Sequence, residues 1–244
     1  MLTHGDQPFG RGRAPVGPER CLITMLQVPS RGRHSIRMAQ RNLRDQRREL
    51  RRELGRDQVL DAAEQIFARK GFHDSSLREI AELAEFSVGS VYGLFPGKDD
   101  IYRAMFRRRG AEFLPGMRAV LASSAPPRRR LLDLADWQVD FFLRHPHFGR
   151  LVLRGGSVAP PLAEPPGDAE MVENFREAQR MQAELFRLGQ QAGELRPGPP
   201  QVLARMFSGL VSAYQTAELE GTPEQMPRAE FHAVLEAAFL APAG

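Results

Sequence analysis

VLDAAEQIFARKGFHDSSLREIAELAEFSVGSVYGLFPGKDDIYRAMF, residues 59–106, reads as four helices in succession, each with its own start or stop signal. Val59, Leu60, Ala63, Ile66 and Phe67 recur at helical spacing, with charged residues on the other face. Gly71 stops that helix, because glycine accepts the left-handed conformation that follows a last turn. Ser76 opens a second helix as N-cap, and Glu79 three residues on completes a capping box. The buried stripe of this second helix is Leu77, Ile80, Ala81 and Ala84. Ser87 caps a third, short helix, with Phe86 and Val91 at the spacing of a hydrophobic staple. It ends near Phe95, ahead of Pro96, Gly97 and Lys98, and Ile101, Tyr102, Met105 and Phe106 open a fourth.

Two helices joined by so tight a turn predict a helix-turn-helix, the second helix of which lies in the major groove of DNA. Its exposed side is expected to hold Gly89, Ser90, Tyr92, Gly93 and Leu94. Small residues let a backbone approach phosphates, and hydroxyls donate to phosphate oxygens or base edges. Helix N-termini bring free N–H groups and a partial positive charge to the same task. Plain three-helix packing is the competing reading of this segment taken alone.

Ala62, Phe67, Gly71, Phe72, Ser76, Ile80, Ala81, Ser87, Gly89, Ser90, Val91, Tyr92, Phe95 and Lys98 form a set that resembles the TetR family of bacterial transcriptional regulators. The resemblance runs over residues 57–106. It implies that Ser76 and Tyr92 touch phosphates, that Gly89 and Ser90 meet the groove, and that Lys98 clamps the backbone at the start of the fourth helix. Arg78 and Ser87 complete the DNA-binding candidates. Three positions depart from the family pattern. Glu85 stands where the turn usually carries glycine, so it is expected in a left-handed conformation costing about 1 kcal/mol. Gly93 and Leu94 replace larger polar or aromatic residues, which leaves base preference unassigned.

At 244 residues the chain accommodates two modest domains or one large one, and 42% hydrophobic residues suffice for a core. No apolar run approaches the ~18 residues of a membrane helix. A mildly apolar segment, Cys21 to Val28, is too short and broken for a signal peptide. A single cysteine, Cys21, excludes an internal disulfide and fits a reducing cytoplasm. The net charge of +4 is unevenly spread: residues 1–56 carry +8, residues 57–109 carry −1 and residues 110–244 carry −3.

The basic arm has two parts. Residues 1–35, rich in Gly, Pro and Arg without periodicity, are expected to be disordered, and Met25 and Met38 leave open a later start codon. From Ile36 to Arg56 come good helix formers, with Asp45/Arg48, Glu49/Arg52 and Glu53/Arg56 paired three apart. Ile36, Leu43 and Leu50 supply one apolar position in seven, too few for a coiled coil. The arm reads equally as an arginine-rich DNA contact or as a solvated, fraying extension.

Beyond residue 110 the sequence is helical, with breaks at Pro115–Gly116, Pro126–Pro127, Pro146, residues 160–167, Pro197–Pro200, Pro223 and Pro227. From Arg128 to His145 the pattern is apolar nearly all round, which predicts burial on several sides. Asp168 is expected to cap a long helix bearing Met171, Phe175, Ala178, Met181, Leu185 and Leu188. Another runs from Pro200 to Glu220, and the last buries Phe231, Val234, Leu235, Ala238 and Phe239. The resemblance implies that these last two helices pair with their copies in a two-fold dimer, with Gly209, Ser212 and Ala213 allowing close approach. It also implies a ligand pocket between the middle helices, for which Trp137, Phe141, Phe148, Phe175, Met181, Phe186 and Met206 are the candidate lining. Gln138 and Asp140 are candidate polar contacts, and Pro115–Gly116 is a hinge or simply the end of its helix.

His145 and His147 flank Pro146 and lack the spacing of a helical metal pair, and no nucleophile or paired-carboxylate pattern stands out. No enzyme activity, metal or cofactor is therefore expected. The expected fold is all-α: an Arg-rich extension over residues 1–50, a three-helix helix-turn-helix DNA-binding domain over 51–106, and a larger helical effector-binding and dimerisation domain over 107–244. The expected function is cytoplasmic transcriptional regulation, as a homodimeric repressor released from a pseudo-palindromic operator on double-stranded DNA by a small hydrophobic or aromatic effector. The alternative is an effector-independent, architectural DNA-binding protein acting through protein partners. No membrane partner is expected.

Overall fold

The computed structural model describes residues 31–154, 169–221 and 226–241, with side chains from residue 43 onward except at residue 154. Cys21, most of the Gly/Pro-rich arm, the Asp168 cap and the break at 160–167 lie outside the described residues. By its internal contacts the chain divides into two units, residues 1–47 and 48–244. Helix α1 (Arg31–Lys70) accounts for the described part of the first unit and enters the second. Residues 31–35 are thus helical, where disorder was expected from composition.

In the second unit α1 is followed by α2 (Leu77–Leu83), α3 (Val88–Leu94) and α4 (Lys98–Leu121). Their apolar stripes close on one another: Val59, Ala63, Ile66 and Phe67 of α1 meet Ile80 and Ala81 of α2, Val91 of α3 and Ile101 and Met105 of α4, all buried. Tyr102 sets its ring 5.4 Å from Phe67, 5.1 Å from Phe72 and 4.8 Å from Phe106. Such pairs stabilise beyond the area that they bury.

The remaining helices are α5 (Pro127–Arg144), α6 (Pro146–Arg154), α7 (Ala169–Gln191), α8 (Pro200–Glu220) and α9 (Arg228–Phe239). Prolines start three of them at the first helical position, where a missing N–H removes no hydrogen bond. The fold is all-α, and among the described residues the strand-like pairing is an isolated bridge between Leu195 and Leu240. The core of α5, α7, α8 and α9 is closed by Phe186, Phe207 and Phe239, with ring centres 5.3–6.3 Å apart. Val234, expected in that core, is 40% exposed instead: it sits one position off the stripe that Phe231, Leu235 and Phe239 bury.

Pro115–Gly116 does not break the chain. Helix α4 passes straight through it. An internal proline costs a helix about 3 kcal/mol, and here the burial of Leu114 and Met117 on either side opposes that loss. Gly116 has a packing reason instead. The Trp137 indole of α5 lies so close that a Cβ at residue 116 would meet its Cζ2 at 2.4 Å. The helix also runs unbroken past residue 106, and Phe106 brings its ring to 5.2 Å from Phe148 of α6. One continuous cluster therefore links the helix-turn-helix to the helices behind it.

Overpacking of this kind costs about 1–3 kcal/mol. Gly116→Ala is expected to lower the urea midpoint accordingly, and adding Trp137→Leu to recover part of the loss. An unchanged midpoint in Gly116→Ala would show that the indole moves aside freely.

Candidate functional site

Local chemistry builds the helix-turn-helix. The Ser76 side chain accepts from the Glu79 N–H at 3.2 Å, while the Ser76 N–H donates to the Glu79 carboxylate at 2.9 Å, which is a complete capping box. Lys70, in the last turn of α1, pairs with the same carboxylate. The Lys70 and Ser76 hydrogen bonds hold the Glu79 carboxyl down at about 2, well below its ordinary 4.5. Glu85 carries the tight turn at φ 60°, in the left-handed region where glycine would be unstrained. Ser87 then caps α3, its Oγ accepting from the Ser90 N–H at 3.0 Å.

Ser76, Arg78, Ser87, Gly89, Ser90 and Tyr92 are all exposed, and Tyr92 is 57% accessible on the outer side of α3. Gly93 is exposed too. Leu94, expected beside it, is half-buried, because it turns onto the core and onto Gly55 of α1. Arg78 forms an exposed pair with Glu82 one turn on. Lys98 faces inward: its ammonium donates to the carbonyls of Phe72, His73 and Ser75 at 2.6, 3.2 and 2.8 Å and lies 4.4 Å from the Phe72 ring centre. Those three bonds use all three donors of a lysine. Lys98 thus braces the turn between α1 and α2.

Two features of this region escaped the sequence reading. Arg56 of α1 reaches the end of α3, donating to the Leu94 carbonyl at 2.5 Å and stacking 4.1 Å over the Phe95 ring. Gly55, a lone glycine among helix formers, leaves room for the Phe86 ring at 3.4 Å and for Leu94. A glycine inside a helical pattern signals such close approach. The second feature is Glu64, a carboxylate with only 5% of its side chain accessible on the inner side of α1. Arg109 of α4 grips it from two nitrogens at 2.8 and 2.9 Å, and Arg108 adds a third bond at 2.8 Å. Arg108 also holds Asp61 at 2.7 Å.

Behind this clamp lies a cavity of about 170 Å³, walled by α4, α5, α6, α7 and α8. Of the predicted lining, Phe148 and Phe175 border it. Trp137 and Phe141 pack against Phe113, Phe186 closes the rear core, Met181 lies beside that core, and Met206 is 54% exposed on the outer side of α8. The cavity wall is instead shared between apolar residues, including Phe106, Phe113, Phe142 and Met171, and an amide-rich group, Gln138, Gln179, Gln182 and Gln215. Asp140, the other candidate polar contact, pairs outside with Arg228 at 3.0 Å. Among the described residues no group of His, Cys, Asp and Glu is placed to hold a metal, and no helix is long and apolar enough to cross a membrane.

Comparison with known proteins agrees with this architecture. The family model for bacterial regulatory proteins of the tetR family matches residues 59–105. The HTH-type transcriptional activator FasR of Mycolicibacterium smegmatis is 30% identical over 106 residues, which cover 43% of this chain and 48% of FasR. The matched region thus spans about half the length of that relative. Among solved structures, the transcriptional regulator FadR from Bacillus subtilis in complex with stearoyl-CoA superposes with a TM-score of 0.57 at 19% identity, covering 74% of this chain and 96% of FadR. AibR in complex with isovaleryl coenzyme A and operator DNA gives 0.63 at 17% identity, covering 75% of this chain and 96% of AibR. These likenesses share the all-helical fold. Residues 59–105 thus match the bacterial regulatory proteins of the tetR family, and the solved structures share the fold of the chain.

The Glu79 carboxyl, depressed to about 2 in the folded chain, stabilises the fold fully above its ordinary 4.5 and ceases to do so as pH falls toward 2. The stability gap between wild type and Glu79→Gln is therefore expected to be constant near neutrality and to close in acid, as read by denaturant midpoints. A gap independent of pH would mean that the carboxylate charge contributes nothing.

Proposed function

We propose that the chain is a homodimeric, sequence-specific DNA-binding regulator whose hold on a pseudo-palindromic operator is weakened by a small ligand. The observation that carries this reading is the presence in one chain of an exposed, serine- and tyrosine-bearing α3 and of a cavity lined by α4 and four other helices. In this reading Ser76, Ser87, Ser90 and Tyr92 contact phosphates or base edges, Gly89 admits the backbone, and Arg78 adds charge. Lys98 acts indirectly, by bracing the turn that presents α2.

A second copy is supported by an apolar stripe on the outer side of α8, where Val202 and Met206 are 44% and 54% exposed and Gly209 leaves open space. Val234 of α9 is also exposed, at 40%. An isologous two-fold contact there would place two copies of α3 to read mirrored half-sites. The stripe gives Met206 a use other than the one that the sequence suggested.

Coupling runs through α4. Phe106, Arg109, Gly110, Phe113 and Leu114 of that helix all face the cavity, and Arg109 is also the main grip on Glu64 of α1. A ligand that prefers a shifted α4 changes operator affinity by its differential binding to the two positions, typically ~1–3 kcal/mol. FadR and AibR, whose structures hold stearoyl-CoA and isovaleryl coenzyme A, offer precedents for small ligands in this fold. A cavity at the core also weighs against the effector-independent, architectural reading.

The test is capture of genomic fragments by the purified chain at about 0.2 M salt, which strips most purely electrostatic binding. A shared two-fold sequence is expected. Retention of nothing, or of all fragments equally, would overturn the reading. On the captured site, Tyr92→Ala is expected to weaken binding about tenfold, as loss of a single good contact does. Removal of residues 1–47 is expected to lower affinity and flatten the dependence on salt, because the arm's arginines would no longer displace counterions. An unchanged salt slope would leave the arm outside the interface.

A further inference from the structure

We propose that the effector is an uncharged molecule with an apolar tail and a hydrogen-bond acceptor such as a carbonyl oxygen, read by the side-chain amides of Gln138 and Gln215. The proposal rests on the reading of the cavity as the effector site and specifies what that site selects. Gln138 of α5 and Gln215 of α8 are 6% and 2% exposed, and both belong to the cavity wall. The amide nitrogen of each is buried without an acceptor among the described residues. An unpaired buried donor costs ~1–3 kcal/mol, so two of them at one cavity are a standing demand for an acceptor.

Their neighbours do not meet that demand. Ser208 donates to the Gln182 carbonyl at 2.5 Å and accepts from the Gln179 amide at 3.3 Å, so that part of the wall is internally matched. Apart from Asn174, Ser212 and Arg109, the rest of the surface, including Phe106, Phe142, Phe148 and Met171, is apolar and suits a hydrocarbon tail.

The charge of the ligand follows from Arg109. It is the charged residue of the cavity wall, yet two of its nitrogens are held by Glu64 at 2.8 and 2.9 Å. A ligand carboxylate would have to leave water for a site whose cation is already neutralised, and a cationic ligand would find no free carboxylate there. Burying an unpaired charge is far costlier than burying a carbonyl that gains two N–H donors. The size of the cavity sets the last limit. At about 170 Å³ it lies below the ~300–1,000 Å³ of pockets for drug-sized ligands, so the buried portion is short and slender.

Three probes of one shape separate the possibilities: pentyl methyl ketone, the hydrocarbon in which its oxygen is replaced by methylene, and hexanoate. Each is titrated into the full chain by calorimetry, with Trp137 emission as a second readout. Wild type is expected to bind the ketone about tenfold or more tightly than the hydrocarbon, the difference made by one or two hydrogen bonds, and to bind hexanoate more weakly than the ketone. The double variant Gln138→Met, Gln215→Met is expected to lose the ketone preference while still binding the hydrocarbon. Equal binding of ketone and hydrocarbon by wild type, a preference for hexanoate, or a ketone preference that survives both substitutions would overturn the proposal and leave the cavity as a ligand site. If wild type binds none of the three, the effector reading of the cavity fails with it. Should the double variant not fold, the wild-type ranking alone decides.

Discussion

A carboxylate taken out of water must be paired, and Glu64 is the place where this chain meets that demand. Its partners, Arg108 and Arg109, are consecutive residues of α4, so three short hydrogen bonds fix the register of α4 against α1. Removing one side of a buried ion pair costs ~3–5 kcal/mol, far more than an exposed pair such as Arg78–Glu82 contributes. The register matters because α1 carries Arg56 and Gly55, which seat the end of α3. The position of the exposed α3 surface is thus tied, through two helices, to one buried charge.

The other end of the same constraint lies in the cavity. Arg109 borders it, and Phe106 and Phe113 extend the aromatic cluster on either side. A packed aromatic cluster responds to a ligand by choosing between arrangements rather than by yielding smoothly. Helix α4 is well suited to transmit such a choice: it runs unbroken past Pro115, and Gly116 lets the Trp137 ring lie directly on its backbone. The residues that the sequence suggested as a hinge are a packing contact in this structure. The cavity and α3 are therefore linked by a stiff element with a polar clamp at one end and an aromatic clamp at the other.

The helix-turn-helix was legible because its signals are local. A capping box spans three residues and the Gly71 stop needs one, while the left-handed Glu85 was implied by the glycine that the resembling family carries in the turn. Periodicity placed α8 at Pro200 and Glu220 for the same reason. What could not be read is long-range. Glu64 and its arginines are 44 and 45 residues apart, and each alone looks like a solvated charge. The cavity wall is likewise drawn from five helices. Large apolar residues were the natural candidates for it, yet Phe141, Phe186 and Trp137 fill the core instead, where their area is best buried. Gln138 was legible as a polar contact, but Gln179, Gln182 and Gln215 were not, because nothing local distinguishes a buried amide from an exposed one. The arm was misjudged at residues 31–35 because composition reports the average tendency of a segment, whereas a helix already formed downstream extends at low cost.

The most direct test is a set of operator-binding isotherms, by fluorescence anisotropy on a captured two-fold fragment, for wild type and Glu64→Gln with and without pentyl methyl ketone. Trp137 emission monitors occupancy of the cavity in the same samples. In wild type the ketone is expected to weaken operator binding. In Glu64→Gln it should still occupy the cavity yet leave operator binding unchanged. A wild-type affinity that ignores the ketone, or a full ketone response in Glu64→Gln, would contradict the claim that one buried carboxylate joins the cavity to the DNA-reading helices.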